Sequence, residues 1–565
     1  MQEIKIPGKG INEIKRIAYK YAIKNCFEHK GKAEIGAVIG KVKAILPETI
    51  IGQAIPIVKE VIEKTNKMKK EEIEEEYYLF EKSGWELKQV EKEKTLPELN
   101  WLEEEKLITR AAPCPTGAMH FGHARPYILL DEYVKKYGGK YILRFDDTDP
   151  KIKIPEKGIE EEFQKDFEWL EIKIHEIKRQ SDNIGRYLKI VEQLIAEEKA
   201  YICFCKPEEW RKKIWEGKAC ECREKKAREQ IKHWKEMVKG KLKEGSCVVR
   251  LKTNLEDKDS STRDWWLAKI VDDPTKHPNK KTHKYHVWPS YNLASSIDDH
   301  EMKINFIIRG QEHIQNEKKQ KYLYDYFKWK YPHTMYHGKI TKVADMILSK
   351  SKIKLLMEKE GLKRDDDPRL ATIKSFRRRG FRPETIRKVI LQLGLNPNDA
   401  KIGLENFGSS NKKFLGEVKN YPFIEEGLEI EIINFMKGKT NAYEQELLLE
   451  EPIQKFVVDK KEIKNIRVGE NIRFKEGFNV KIEEIGDFGA KGRFISYEKT
   501  GYKTIDWLKE FIDVKILMAD GKEKIGMSVP NIQNEKEGNV IFFNGIGYVR
   551  IDNKTREVYC VFAHK

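Results

Sequence analysis

At 565 residues, with 39% hydrophobic and 10% aromatic side chains, the chain has material for several cores and is too long for one. Charged residues reach 36%, and 109 Lys and Arg against 92 Asp and Glu leave +17, which suits either a polyanionic partner or a Lys/Glu-rich solvated surface. No apolar run reaches membrane-spanning length, MQEIKIPGKG lacks the apolar segment of a secretory signal, and eight cysteines in this length exclude a disulfide scaffold, so a cytoplasmic protein without membrane contact is expected.

Residues 1–95 read as a helical N-terminal domain. INEIKRIAYKYAIKNCFEHK repeats its apolar positions at helical spacing, Pro47 and Pro56 break the later pattern, and a charged stretch then leads to the Pro97 turn. At KLITRAAPCP the character changes. LITRAA predicts a strand, GHARPYILLDEYVKKYGG a helix stopped by its glycines, and KYILRFDDTDP a second strand. Strand, helix and strand in that order form a βαβ unit, hence an α/β fold with a parallel sheet whose ligands bind at the carboxyl ends of strands. Pro113–His123 and Asp146–Asp149 fall at that edge. The expected division is 100–195 for the first half of this domain, 196–285 for a Cys-bearing insert, and 286–350 for the second half with YHVWPSYNLASSIDDH and INFIIRGQEH. A helical segment, 351–422, follows, and short strands with Gly, Asn and Asp turns over 423–565 predict two β-barrels.

Three residue groups suggest chemistry. In PTGAMHFGH, Gly117 and Gly122 let the backbone approach a ligand, and a helix starting after Met119 presents N–H groups and a positive dipole end to phosphate. His120 and His123, one turn apart, could donate to phosphate oxygens, hold a metal, or be satisfied core side chains. Cys203, Cys205, Cys220 and Cys222 form two close pairs, either a tetrahedral Zn²⁺ site or four reduced thiols. Arg377, Arg378 and Arg379 would give a phosphate backbone affinity without sequence reading, although three consecutive helical residues cannot face one way.

TRAAPCPTGAMHFGHARPYILLDEYVKKYGGKYILRFDDTDP resembles the first half of a class I aminoacyl-tRNA synthetase site, and more narrowly that of the archaeal-type glutamyl-tRNA synthetases. The resemblance implies a Rossmann-like catalytic domain in which Pro113, Thr116, Gly117, His120, Gly122 and His123 cradle ATP, with Phe121 where isoleucine is usual. MILSKSKIK is similar to the family's mobile lysine loop, which places Leu348, Ser349 and Lys350 on ATP and makes Lys350 the residue that brings a positive charge to the phosphates. Ile347 stands where the family has its first lysine. By the same resemblance Arg110 and Tyr291 approach the side-chain carboxylate of glutamate, Arg309 its α-carboxylate and Asp146 its α-ammonium. Asp146 is a methylene shorter than the glutamate common there, and Asn292, Asp365 and Ala371 also depart from the pattern.

The resemblance further implies that the insert holds the tRNA acceptor end, with structural Zn²⁺ on its cysteines, and that the barrels bind the anticodon. The implied reaction is formation of glutamyl-adenylate from ATP, with Mg²⁺, and transfer of glutamate to tRNA(Glu), with tRNA(Gln) as a second acceptor to consider. IIRGQEH replaces the Cys-Thr-Leu-Glu-Phe-like string of glutaminyl-tRNA synthetases and so favours glutamate. A glutaminyl enzyme and a catalytically silent RNA-binding relative are the alternatives. Nothing in the sequence demands a dimer, and a monomer is expected.

Overall fold

The protein is described by a computed structural model over residues 8–28, 32–43, 48–83, 96–102, 105–348, 352–353, 355, 364–443 and 445–565. It consists of two compact units, Met1–Glu93 and Lys94–Lys565.

The first unit is helical: α1 (Gly8–Glu28), α2 (Ile35–Lys43), α3 (Glu48–Thr65) and α4 (Lys70–Ser83). Ile14, Ala18 and Ala22, four apart along α1, share one buried core with Val38, Val58 and Ile62. Pro56 does not break the helix as expected but lies inside α3. The buried face carried by Ala54, Val58 and Ile62 runs straight through this position, so packing outweighs the hydrogen bond that proline cannot make.

In the second unit the chain runs β1 (Ile108–Ala111), α5 (Phe121–Tyr137), β2 (Lys140–Phe145), α6 (Ile159–Trp169), β3 (Glu176–Arg179) and α7 (Ile184–Ala196). The insert follows as β4 (Ala200–Cys203), α8 (Pro207–Trp215), α9 (Ala227–Val238), β5 (Val248–Leu251), β6 (Trp266–Ile270) and β7 (Val287–Pro289), its strands forming one antiparallel sheet. The chain then returns through α10 (Tyr291–Glu301), β8 (Phe306–Gly310), α11 (Ile314–Phe327) and β9 (His333–His337). The five strands β3-β2-β1-β8-β9 make one parallel sheet. From β1 the chain winds outward through β2 and β3, then resumes on the other side at β8. The β1/β8 boundary is therefore a topological switch point, where the carboxyl ends open into a crevice. Gly139 makes the tight return from α5: its φ is +120°, and a Cβ there would come within 2.1 Å of the Leu107 carbonyl oxygen.

Helices Ile373–Arg379, Pro383–Leu393 and Leu404–Leu415 pack Phe376 and Phe407 into the same core as Phe121. Beyond them lie two strongly curved sheets. In the seven-stranded sheet, Lys503–Ile505 and Trp507–Leu508 occupy opposite edges yet are one residue apart, so the sheet must curl until its edges meet. The six-stranded sheet is drawn together by Ile424 and Met527, which exchange both backbone hydrogen bonds at 3.0 and 2.8 Å. Among the described residues no helix is long and apolar enough to cross a membrane.

Candidate active site

The turn after β1 builds the first wall of the crevice. Gly117 has φ +104°, a conformation other residues adopt only with strain. Met119 and Phe121 are fully buried, and the Phe121 ring packs on Phe376 and Phe407 with centroids 5.6 and 5.1 Å away. These anchors turn the intervening His120 the other way. His120 caps α5 in an extended conformation, and its ring stacks on that of His123 with centroids 3.5 Å apart. Gly122 permits this: a Cβ there would lie 3.1 Å from the His120 ring. Two imidazoles thus stand at the positive end of a 17-residue helix.

The stem of the lysine loop is tied to this wall. Ile347 N–H donates to Arg369 (2.8 Å), Ala371 N–H to Ile347 (3.0 Å) and Phe121 N–H to Ala371 (2.8 Å). A proline at 371, as in the family pattern, could not make the middle bond. Leu348 is the last described residue before Ser349 and Lys350, which lie outside the described residues.

A cavity of about 780 Å³ opens at the switch point, lined by Arg110, Pro113, Thr116, Gly122, His123, Asp146, Tyr291 and Arg309 among others. Gly117, His120 and Leu348 are not in its lining, and His120 reaches it through its stack on His123. Beneath the cavity lies a buried ion network. Arg110 donates through Nε and Nη2 to the two oxygens of Asp299 at 3.0 and 3.2 Å. Arg144 donates to the same Asp299 Oδ1 at 2.5 Å and to Asp146 Oδ1 at 2.7 Å. Burial opposes the Asp299 charge, but Arg110 and Arg144 hold its carboxyl down at about 2. Burial pushes neighbouring Asp298 up to about 7, despite Arg144 and the Tyr187 hydroxyl that donates to both its oxygens.

Asp146 keeps Oδ2 without a hydrogen-bond partner, and burial raises its carboxyl against the pull of Arg144. Arg309 donates to Gln320 Oε1 (3.3 Å) and to the Tyr331 hydroxyl (3.1 Å), both neutral, while its Nε meets no partner. Burial works against its charge, yet Tyr331, Tyr291 and Asp299 keep its pKa above the ordinary arginine value. Arg144, Asp299, Gln320 and Tyr331 were not foreseen from the sequence. The available signal was SSIDDH, where adjacent aspartates follow a small, apolar helix face, as buried paired charges do.

Residues 106–416 match the family described as tRNA synthetases class I (E and Q), catalytic domain. Glutamate–tRNA ligases of Pyrococcus furiosus and Pyrococcus abyssi are 41% and 40% identical to this chain, over 98% of it and 100% of their own length. That of Sulfurisphaera tokodaii is 36% identical with the same coverage. The chain belongs to the archaeal-type glutamate–tRNA ligase family.

The ligase carries four of its cysteines, Cys203, Cys205, Cys220 and Cys222, where β4 meets α8 and in the turn before α9. The four sulfurs lie within 4.8 Å of one another, with Cys203–Cys220 at 4.0 Å and Cys205–Cys222 at 3.9 Å. Tetrahedral zinc with bonds of about 2.3 Å separates its thiolates by about 3.8 Å, so the donor set fits with small adjustments. Bonds from Cys203 and Cys220 hold Cys222 far below the usual thiol range, helped by the Phe204 N–H at 3.4 Å. Among the described residues these cysteines form the single group of three or more side chains able to hold an ion.

The arginine row of the ligase requires a correction. Arg379 is fully buried and donates to the carbonyls of Phe562 (2.9 Å) and Ala563 (2.5 Å), and burial pushes it down to about 10. Arg378 is paired with Asp552 (2.8 Å) and Asp366 (3.2 Å). Both fasten helix Ile373–Arg379 to the last sheet and cannot serve as an RNA-facing patch. The 3.6-residue period leaves Arg377 the most exposed of the three, its side chain 36% exposed against 13% for Arg378, in a cleft of about 430 Å³ shared with Arg382, Lys419 and Arg550.

Proposed function

We propose that the 780 Å³ cavity is where glutamate and ATP react. The chain catalyses ATP-dependent activation of glutamate and its transfer to tRNA(Glu), as its full-length relatives are glutamate–tRNA ligases. The observation that carries the assignment of residues is the convergence of Arg110, Arg309, Asp146 and Tyr291 with the histidine-bearing helix start around one cavity. A substrate with two carboxylates and one ammonium matches two guanidinium groups and one carboxylate. Asp299 occupies Nε and Nη2 of Arg110, leaving Nη1, with Tyr291, for the side-chain carboxylate. Arg309, held by neutral partners, takes the α-carboxylate, and Asp146 Oδ2 accepts from the ammonium.

ATP lies along Pro113, Thr116, Gly117 and Gly122, with its phosphates toward His120 and His123. A carboxylate oxygen of glutamate attacks the α-phosphorus, and the bond to pyrophosphate breaks as the new P–O bond forms. The imidazole N–H groups donate to the phosphate oxygens as charge shifts, and Lys350 adds a point charge from its loop. Mg²⁺, held by the nucleotide's own phosphates, would supply neutralisation of their charge there. The terminal ribose hydroxyl of tRNA then attacks the adenylate carbonyl and releases AMP. No side chain forms a covalent bond; positioning and electrostatics carry both steps. Zinc, held by Cys203, Cys205, Cys220 and Cys222, would staple the acceptor-binding insert, since four thiolates leave no open coordination position. The ligase acts as a monomer, with Arg377 facing the tRNA backbone.

ATP–pyrophosphate exchange with glutamate or glutamine, with and without tRNA, tests the reading. Exchange with glutamate alone is expected, and none with either amino acid in the presence of tRNA would overturn it. Charging of tRNA(Glu) and tRNA(Gln) transcripts decides whether the second acceptor is used. A Lys350→Ala variant with undiminished exchange would remove that lysine from the mechanism.

A further inference from the structure

Gln180 opens the turn Gln180–Asn183 at the carboxyl end of β3. β2 and β3 are parallel with Phe145 opposite Arg179, which sets Gln180 beside Asp146 at the edge of the sheet. Both residues line the catalytic cavity. Gln180 is 0% exposed, and neither its Oε1 nor its Nε2 meets a hydrogen-bond partner within the protein.

Among the buried glutamines this is exceptional. The other buried glutamines among the described residues are all paired. Gln230 accepts from Ile202 N–H and donates to the Cys222 carbonyl, Gln320 accepts from Arg309 and Tyr331, and Gln454 donates to Glu451 and accepts from Lys509. A buried polar group without a partner costs about 1–3 kcal/mol, so a carboxamide kept at such a place is there for something other than the stability of the free protein. Asp146 Oδ2, in the same cavity, is likewise without a partner. Two unsatisfied acceptors at neighbouring strand ends suit a ligand group with several N–H donors. A primary ammonium is such a group.

We propose that Gln180 is a substrate-binding residue of the ligase: its Oε1 accepts from the α-ammonium of glutamate alongside Asp146 Oδ2. This rests on the reading of Asp146 as the ammonium site. The carboxamide adds a hydrogen bond without a further negative charge beside Asp146. Nε2 is then a donor for an oxygen of the same substrate.

The test is Gln180→Met, which keeps the length of the side chain and removes both polar ends, measured beside Asp146→Asn. If Gln180 serves the substrate, the free protein's melting temperature stays the same or rises, because two unpaired buried groups are gone. In ATP–pyrophosphate exchange the KM for glutamate then rises tenfold or more while the KM for ATP stays within twofold. A structural role predicts the reverse: a lower melting temperature and parallel changes in both KM values. That result, or a change confined to the KM for tRNA, overturns the proposal. If Asp146→Asn raises the glutamate KM and Gln180→Met does not, the role of Gln180 alone falls. If Asp146→Asn leaves the glutamate KM unchanged, the ammonium reading of the cavity fails and the proposal falls with it.

Discussion

Asp166→Asn should stabilise the protein at alkaline pH. Asp166 sits on α6, 1% exposed, with neither carboxylate oxygen hydrogen-bonded and its nearest cation, Arg377, 3.9 Å away. Burial pushes the carboxyl from 3.8 up to about 7, and Arg377 and Lys374 only partly offset it. The native state therefore holds a proton that the unfolded chain releases near pH 4. The stability linked to that proton is fully present below about pH 4, declines as pH rises and is lost above about pH 7. Three tenfold steps at about 1.4 kcal/mol each give about 4 kcal/mol as the largest cost of ionising this site. Asparagine keeps the shape and carries no charge, so the variant should gain up to about 4 kcal/mol at pH 8 and little at pH 4.5. Guanidinium unfolding followed by tryptophan emission at the two pH values measures both. A variant less stable than its parent at pH 8 would refute the reasoning, because it would show the Asp166–Arg377 pair to be worth more than its burial costs.

Replacing His123 by alanine should lower ATP–pyrophosphate exchange by about 10²–10³-fold with the fold intact, the usual loss of one preorganised donor, and an unchanged rate would remove it from phosphate stabilisation. Arg379→Ala should cost about 2–4 kcal/mol with no RNA present, since it strands buried carbonyls, whereas Arg377→Ala should stay within about 0.5 kcal/mol; equal losses would contradict their different burial. Protein purified without chelator should contain about one Zn²⁺ per chain, and Cys222→Ser should abolish it and lower the melting temperature. Metal-free native protein with the same melting temperature as the zinc-loaded form would show the thiols to be ordinary.

The strands and helices around the site were legible because local signals agreed with the fold. LITRAA and KYILRF alternate with a helix closed by two glycines, and the short C-terminal strands expected over 423–565 form, with the short helix Lys460–Lys464 among them. What was not legible is the pairing of charges. Arg110 and Arg144 converge on Asp299, which lies 189 and 155 residues away in sequence. No local pattern encodes that meeting, which depends on β8 docking against β1 across the insert. The arginine row failed for the opposite reason. Three cations in succession look alike in sequence, and only the helical period together with the position of the last strand buries Arg379, pairs Arg378 and leaves Arg377 at the surface.

The same contrast separates the charges that hold the cavity from those that serve it. Beneath it, Asp299 is saturated by two guanidinium groups, and such a buried network is costly to break at any one member. In its lining, Asp146 Oδ2, Arg309 Nε and both polar atoms of Gln180 are unsatisfied within the protein. A chain selected for stability alone would pair or replace these four atoms. Their meeting in one cavity leaves buried polar atoms where a charged amino acid can satisfy them. Glutamate should therefore raise the melting temperature of the unaltered protein by more than it raises that of Gln180→Met, a difference that binding elsewhere on the chain would not produce.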